Sequence, residues 1–267
     1  MADLTEYAGF SLEFDPSTLA VTSGDGLVFT RSTRLGRDLA DVVCYPQQLH
    51  ADRPAYMMDI LQDVPEQGRA ALEHYALTYS LVLLPPAQIG REFIKTTGHY
   101  HPPIPGTHLG YPEVYTQLYG KLLLALQRRS GNDPEQVMDY VIVEMTPGFV
   151  ITIPPNYAHC LINPTGEPAL MAGLYGKDFK PDYAMTRNRR GLAYYVLAGQ
   201  QPDELEFLPN PCYPERPEIQ WLQDLEGTSF APDYPHQPVW AAFMRDPASF
   251  AFLTQAQAAA GKFPHWE

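Results

Sequence analysis

Cysteine is scarce in this sequence, which has three cysteines among 267 residues. The three, Cys44, Cys160 and Cys212, lie far apart, and no two of them form a C-x-x-C pair. A sparse and odd-numbered set argues against a disulfide scaffold and favours a reducing compartment. The first residues lack the basic-then-apolar pattern of a secretory signal, so we expect a cytoplasmic protein.

The sequence has no long apolar run and few basic residues. No apolar run approaches the roughly 20 residues that a membrane helix needs, so we expect no membrane partner. Eighteen basic residues against 31 acidic residues give a net charge of −13. Such a chain repels nucleic acid and anionic membranes. The same charge opposes a phosphorylated metabolite, so a phosphate site needs local donors or a metal.

Residues 77–208 consist of short apolar segments separated by proline, glycine and asparagine. Segments of five to eight residues at near-regular intervals are typical of a sandwich or barrel. Nothing between them is long enough for a helical crossover, which disfavours a parallel sheet. We therefore predict an all-β core whose strands include L-T-Y-S-L-V-L-L, V-Y-T-Q-L-Y, L-L-L-A-L-Q, Y-V-I-V-E-M, F-V-I-T-I, C-L-I-N and A-L-M-A-G-L-Y.

An N-terminal extension, residues 1–76, is expected to pack on this core. It contains a predicted strand at 27–30 and a stretch, 54–76, that looks helical. The helical prediction depends on Tyr56 and Ile60, which recur at helical spacing with Leu61 beside them.

Three of the 18 basic residues lie close together in one N-terminal segment, R-S-T-R-L-G-R-D-L. A solvated loop is the preferred interpretation, and contact with an anion is the alternative. A C-terminal extension, residues 209–267, is expected to pack on the barrel or on a partner subunit. It contains one predicted short helix, D-P-A-S-F-A-F-L-T-Q-A-Q-A-A-A.

Two histidines one residue apart form the first candidate ligand pair. In an extended strand, His99 and His101 project to one face and Tyr100 to the other. Glu113 begins the next apolar segment, so it lies beside the histidines if the two strands are neighbours. His159 follows a proline corner in a third segment.

Three imidazoles and one carboxylate suit Mn²⁺, Fe²⁺, Zn²⁺ or Ni²⁺, because Mg²⁺ and Ca²⁺ prefer oxygen ligands throughout. We therefore predict one divalent transition metal per subunit. Four protein ligands on a six-coordinate metal leave two positions for water or substrate oxygens.

The spacing of these residues resembles the two motifs of the cupin family. The first motif is Glu113-(x)6-Gly120, and the second is Gly148-(x)5-Pro154-(x)4-His159-(x)3-Asn163, with Asn156 where the general pattern has glycine. The stretches K-T-T-G-H-Y-H, P-E-V-Y, L-Y-G-K, M-T-P-G and I-P-P-N-Y-A-H-C-L-I-N further resemble the cupin-type glucose-6-phosphate isomerases of archaea and some bacteria. This resemblance covers roughly residues 77–182.

The resemblance implies a homodimeric jelly-roll barrel, residues 77–208, that isomerises a sugar phosphate. It implies that His99, His101, Glu113 and His159 bind the metal. Thr96 and Gly98 match positions that hold the substrate phosphate, and Tyr115 and Tyr175 match tyrosines that line the sugar site. Glu113 is expected to relay the proton as the catalytic base, and a hydride shift with Glu113 only as a ligand is the alternative.

One departure from the family pattern concerns residues 102–112, which are longer than usual and contain His108. We interpret them as a rim loop that alters access, with His108 replacing a ligand as the alternative. Lys95 is expected to face outward. Other functions left open are a cupin dioxygenase, another sugar isomerase, or a sugar-binding cupin without turnover.

Overall fold

The computed structural model describes residues 1–130 and 136–264. The strands are β1 Ala2–Asp3, β2 Leu12–Asp15, β3 Ala20–Ser23, β4 Val28–Leu35, β5 Pro54–Asp63, β6 Leu77–Leu84, β7 Gln88–Ile89, β8 Glu92–Phe93, β9 Glu113–Tyr119, β10 Leu122–Arg129, β11 Val137–Met145, β12 Val150–Ile153, β13 Tyr157–Ile162, β14 Ala169–Gly176, β15 Tyr194–Ala198, β16 Leu205–Pro209 and β17 Ile219–Trp221. The α-helices are α1 Thr5–Ala8, α2 Glu66–His74, α3 Ala184–Asn188, α4 Val239–Arg245 and α5 Ala256–Lys262. Short 3-10 helices cover Gly36–Leu39, Pro46–Gln48 and Pro247–Leu253.

Two facing sheets form the barrel. One sheet has the order β12-β9-β14-β6-β5-β4, and the other has the order β13-β10-β11-β17. The extended segment 95–99 joins the second sheet beside β13 through the bridges Lys95↔Ile162 and His99↔His159. In chain order the eight barrel strands are β6, the segment 95–99, β9, β10, β11, β12, β13 and β14. The first, eighth, third and sixth of these lie side by side in one sheet. The second, seventh, fourth and fifth lie side by side in the other. This order is that of a jelly roll, so the predicted cupin jelly-roll core is confirmed.

Strand alternation explains the layers of the core. Leu122, Leu124 and Leu126 of β10 point between the two barrel sheets, where they pack with residues of β6, β9, β12 and β14. Leu123 and Ala125 point the other way and pack against β15. Both faces of β10 are therefore buried over residues 122–126, which is why these five residues are all apolar.

Segments from both ends of the chain cover the outer face of the large sheet. Phe10 and Phe14 from the N-terminal part pack with Trp240 and Phe243 from the C-terminal part, against Leu118 and other sheet residues. The division into a barrel and two extensions stays a prediction, and the last three residues of the C-terminal extension lie outside the described residues. No helix of the described chain is both long and apolar enough to cross a membrane.

The predicted helix over residues 54–76 is wrong for its first half. Residues 54–63 form β5, which pairs with both β4 and β6, and only α2 is helical. The positions Tyr56 and Ile60 fit a period of two as well as a helical period, and the intervening Met58 shares their face of the strand. The predicted C-terminal helix is also divided, because Thr254 separates a 3-10 helix from α5 and its hydroxyl donates to the carbonyl of Tyr75.

Candidate metal centre

Four side chains converge inside the barrel. His99 and His101 come from the segment next to β13, His159 from β13 itself, and Glu113 from the first residue of β9. One ligand atom from each of the four lies within 4.8 Å of all the others. The structure therefore brings together the four residues predicted as metal ligands.

Glu113 reaches the histidines from across the barrel. Its strand pairs with β12 and β14 in the large sheet, whereas the histidines belong to the facing sheet. The two strands are therefore not neighbours in one sheet, contrary to the prediction. Glu113 nevertheless lies beside the histidines, as expected. Glu113 Oε1 lies 3.2 Å from His101 Nε2, and Glu113 Oε2 lies 3.6 Å from His159 Nε2.

The site is buried, and burial sets its proton affinities. Desolvation lowers the pKa of His99 and His159 well below 6.5 and that of His101 to about 4. Desolvation also raises the pKa of Glu113 to about 8. The imidazoles are therefore neutral at physiological pH, so their nitrogen lone pairs can bind a metal.

The donor set fits a divalent transition metal. The buried Nε2 of His159 makes no hydrogen bond to any residue that the structure describes. An orphaned nitrogen of this kind costs free energy unless it has a partner, and it faces the Glu113 carboxylate at the centre of the cluster. A cation bound there would satisfy the nitrogen and favour the ionised form of Glu113.

The longer segment 102–112 takes part in the centre directly. His101 Nδ1 donates to the backbone carbonyl of Tyr111 at 2.7 Å, which leaves Nε2 free to face the other ligands. The ring of Phe179 lies between the two residues, 4.3 Å from the His101 ring and 4.7 Å from the Tyr111 ring, measured between centroids. The segment is thus more than the predicted rim loop, because it orients a ligand.

Two anchors hold the 102–112 segment in place. Ile104 and Leu109 are buried against Ala259 of α5. The Gly110 N–H donates to the side-chain oxygen of Asn156 at 2.9 Å. Asn156 has φ +66°, a conformation that asparagine tolerates better than most residues. The longer 102–112 segment and Asn156, which stands where the general motif has glycine, are therefore linked by a direct hydrogen bond.

His108 has no place in the centre. Its side chain is exposed, and it lies outside the cluster of four potential ligands. The interpretation in which His108 replaces a ligand therefore has no support in the geometry.

A pocket opens beside the ligands between the two sheets. Its polar lining includes Tyr115 and Tyr175 as predicted, together with Thr96. The Thr96 hydroxyl accepts the Leu161 N–H at 3.0 Å, so it is partly committed to the fold. Gly98 lies behind the lining with φ +73°, and its carbonyl accepts the Thr186 hydroxyl at 2.9 Å.

Five polar residues of the lining were missed by the sequence interpretation: Tyr56, Ser80, Thr97, Lys177 and Tyr183. Thr97 stands inside the K-T-T-G-H-Y-H motif, and its hydroxyl lies 3.3 Å from that of Tyr56. Correct recognition of β5 as a strand would have placed Tyr56 on the barrel face. Tyr183 packs on His99 with ring centroids 5.1 Å apart.

Three tyrosines of the pocket, Tyr115, Tyr175 and Tyr183, are protonated at neutral pH. Burial raises the pKa of Tyr115 well above 10, and it raises the pKa of Tyr175 and of Tyr183 to about 12. Their hydroxyl groups are thus neutral hydrogen-bond donors for a ligand.

Lys95 faces inward, although an outward orientation was predicted. Its side chain is 6% exposed and lies 2.6 Å from a carboxylate oxygen of Glu92, which is fully buried. The other oxygen of Glu92 accepts the Cys44 N–H at 2.6 Å. The buried carboxylate requires a cation, and Lys95, at the start of the ligand-bearing segment, supplies it.

Comparison with known proteins places the chain among sugar-phosphate isomerases. A family model described as glucose-6-phosphate isomerase matches residues 33–206. A glucose-6-phosphate isomerase of Thermococcus gammatolerans is 26% identical over 202 residues, which are 76% of this chain and 95% of that relative. The enzymes of Pyrococcus furiosus and Thermococcus litoralis are 31% and 35% identical, over 51% and 45% of this chain and 64% and 57% of their own lengths.

Solved structures give a weaker likeness. A chain of oxalate oxidase in complex with glycolate has a TM-score of 0.31 at 15% identity, covering 41% of this chain and 46% of that chain. A likeness of this size supports no inference, and the jelly-roll assignment depends on the strand order alone.

Proposed function

Because the chain belongs to the glucose-6-phosphate isomerase family, we propose that it interconverts glucose 6-phosphate and fructose 6-phosphate at a bound divalent metal. The observation that carries the proposal is the convergence of four ligand atoms within 4.8 Å at the base of a pocket, three of them on buried residues. His99, His101, Glu113 and His159 would hold the metal, which is Fe, Mn, Ni or Zn by the chemistry of the donors. Such an ion, when bound, polarises the carbonyl and hydroxyl oxygens of the sugar as a Lewis acid.

Glu113 is the proposed base. It is the one carboxylate that lines the pocket among the described residues. Aldose–ketose isomerisation moves a proton between adjacent carbons, and a carboxylate next to both carbons can carry that proton. The hydroxyl of Tyr115 shares a hydrogen bond with Glu113 and so helps to orient the carboxylate.

A hydride shift, with Glu113 only as a ligand, is the competing mechanism, and an isotope experiment separates the two. Fructose 6-phosphate is converted in deuterium oxide, and the glucose 6-phosphate is examined by NMR. Deuterium at carbon 2 supports proton transfer through Glu113. Its absence after a single turnover supports the hydride shift.

The phosphate of the substrate is proposed to bind near Thr96 and Gly98, with Tyr115 and Tyr175 along the sugar. The backbone N–H groups of Thr97 and Gly98 have no hydrogen-bond partner in the described part of the chain. Free N–H groups next to protonated phenols suit an anion, because they donate without adding formal charge.

A coupled assay tests the activity. Fructose 6-phosphate is supplied to protein loaded with Mn²⁺, Fe²⁺, Ni²⁺ or Zn²⁺, and glucose 6-phosphate is followed through its NADP-linked dehydrogenase. We expect turnover that chelator treatment abolishes and metal restores. Absence of turnover with all four metals would reject the proposal. Oxygen uptake with a small organic substrate would favour a dioxygenase, and sugar binding without turnover would favour a binding protein.

The family relation also leads us to propose a place in glycolysis and gluconeogenesis, in the cytoplasm, and a homodimeric state. Sedimentation velocity tests the last point directly. A single species at the mass of one chain, 30.0 kDa, at micromolar concentration would contradict the dimer.

A further inference from the structure

A small hydrophobic cluster links the C-terminal extension to the segment 102–112. Ala259 of α5 is fully buried and packs with the buried side chains of Ile104 and Leu109. The match to the isomerase family ends at residue 206, so α5 lies outside the matched region. The cluster therefore joins a part of the chain beyond the family match to the segment that contacts the metal centre.

The segment 102–112 is a short hairpin whose two ends meet next to His101. The Ile104 N–H donates to the Leu109 carbonyl at 2.8 Å across the hairpin. At its base, the Tyr111 carbonyl accepts the Nδ1–H of His101 at 2.7 Å. Because backbone hydrogen bonds hold the hairpin as one unit, a displacement of its apolar side against α5 moves the Tyr111 carbonyl as well.

A second contact from the C-terminal extension reaches the same place. A Cβ atom added to Gly176 of β14 would lie 3.1 Å from the Thr254 methyl carbon and 3.2 Å from the Tyr111 ring. The Phe179 ring would lie 3.4 Å from that atom. Phe179 also packs on His101, with ring centroids 4.3 Å apart. Thr254 therefore belongs to the packing that surrounds the ring of a metal ligand.

We propose that the C-terminal extension positions the metal ligand His101 and so sets the metal affinity of the centre. Ala259 and Thr254 hold the 102–112 hairpin in place, and the Tyr111 carbonyl then orients the His101 ring. A hydrogen bond from the second ring nitrogen fixes which nitrogen faces the metal and strengthens a histidine ligand. The inference rests on the metal centre of the proposed function and is independent of the reaction. Ala259 and Thr254 are positioning residues, because they act through Tyr111.

The experiment measures Zn²⁺ affinity in full-length variants that change the α5 contact from both sides. Ala259→Leu adds atoms to the buried cluster and displaces the hairpin, whereas Leu109→Ala removes atoms from the same cluster. The double variant brings the total volume back to that of the wild type. Chelator-treated protein is titrated with Zn²⁺ in competition with a chromophoric chelator, and urea unfolding is recorded on the same samples.

Two control variants separate the proposed effect from general damage. Gln257→Leu introduces the same side chain on the exposed face of α5. Phe243→Leu reduces buried packing on α4, which belongs to the same extension but packs in the cluster on the outer face of the large sheet. We expect Gln257→Leu to match the wild type in both measurements, and Phe243→Leu to lower stability without a change in Zn²⁺ affinity.

We expect Ala259→Leu and Leu109→Ala each to weaken Zn²⁺ binding about 10-fold to 100-fold, the usual effect of disturbing the hydrogen-bond partner of a metal ligand. The double variant should recover most of the affinity, because the larger and the smaller side chain compensate within one cluster. If Ala259→Leu does not fold, the comparison of Leu109→Ala with Phe243→Leu decides the result.

Wild-type Zn²⁺ affinity in the folded cluster variants would overturn the inference and leave the metal centre intact. Equal losses of affinity in Leu109→Ala and Phe243→Leu would also overturn it, because general destabilisation would then be the cause. No Zn²⁺ binding by the wild type would reject the metal centre and the inference together. If Zn²⁺ affinity responds to the cluster variants as expected but no metal supports isomerisation of fructose 6-phosphate, the inference stands and the proposed reaction fails.

Discussion

Removing the metal should make the stability of the fold depend on pH in a way that Glu113 controls. Burial raises the pKa of Glu113 from 4.5 to about 8. Burial also lowers the pKa of His101 from 6.5 to about 4, and those of His99 and His159 well below 6.5. The metal-free folded protein near pH 6 therefore keeps Glu113 protonated and the three histidines neutral, the opposite of the unfolded chain.

The sign of the effect changes near pH 7. Below it, the unfolded chain binds three histidine protons and the folded chain one extra proton on Glu113, so the net difference is at most two. Stability then falls as pH falls, by up to about 2.7 kcal/mol per pH unit. Above about pH 7 the unfolded chain has lost most of its histidine protons and the proton on Glu113 dominates, so stability falls as pH rises, by a net loss of about 0.6 kcal/mol between pH 7 and pH 8.

Urea denaturation of chelator-treated protein between pH 5.5 and 8 measures this dependence. The Glu113→Gln variant is the control, because it keeps the side-chain shape and removes the titrating proton. We expect the decline above pH 7 in the wild type and not in the variant. Bound metal should reverse the decline, since it needs the deprotonated carboxylate. An equal change from pH 6.5 to 8 in both proteins would show that Glu113 does not control the pH dependence of stability.

Three other substitutions test separate parts of the account. His159→Ala should lose bound metal while remaining folded, and stoichiometric metal in the purified variant would contradict the ligand assignment. Tyr175→Phe should keep its metal and raise KM for fructose 6-phosphate; an unchanged KM would remove Tyr175 from the sugar site. Lys95→Met should destabilise the fold by about 3–5 kcal/mol in urea, because it leaves Glu92 buried without a cation, and addition of Glu92→Gln should restore much of the loss. No recovery in that double variant would count against the ion pair as the cause.

The metal centre could be predicted from the sequence because strand parity and motif spacing, which identify its ligands, are local patterns. His99 and His101 share a face by strand parity alone, and the motif spacing adds Glu113 and His159. The barrel strands could be predicted for the same reason, since turn residues mark their ends. The partner of the histidine strand could not, because pairing between distant segments leaves no local mark.

The role of the 102–112 segment lay beyond the sequence for a similar reason. The contact between Tyr111 and His101 depends on a loop path that α5 and Asn156 fix from far along the chain. The inward position of Lys95 likewise follows from Glu92, whose burial the sequence does not reveal. The sequence of β5 also fits a helix, because its apolar positions match both the helical period and the strand period of two.

The most direct test of the central claim is a metal titration of isomerase activity. Chelator-treated protein is given increasing Mn²⁺, Fe²⁺, Ni²⁺ or Zn²⁺, and bound metal and fructose 6-phosphate turnover are measured on the same samples. We predict that, with at least one of these metals, turnover rises in proportion to bound metal and stops rising at one metal per chain. Full turnover in protein shown to be free of metal would contradict it.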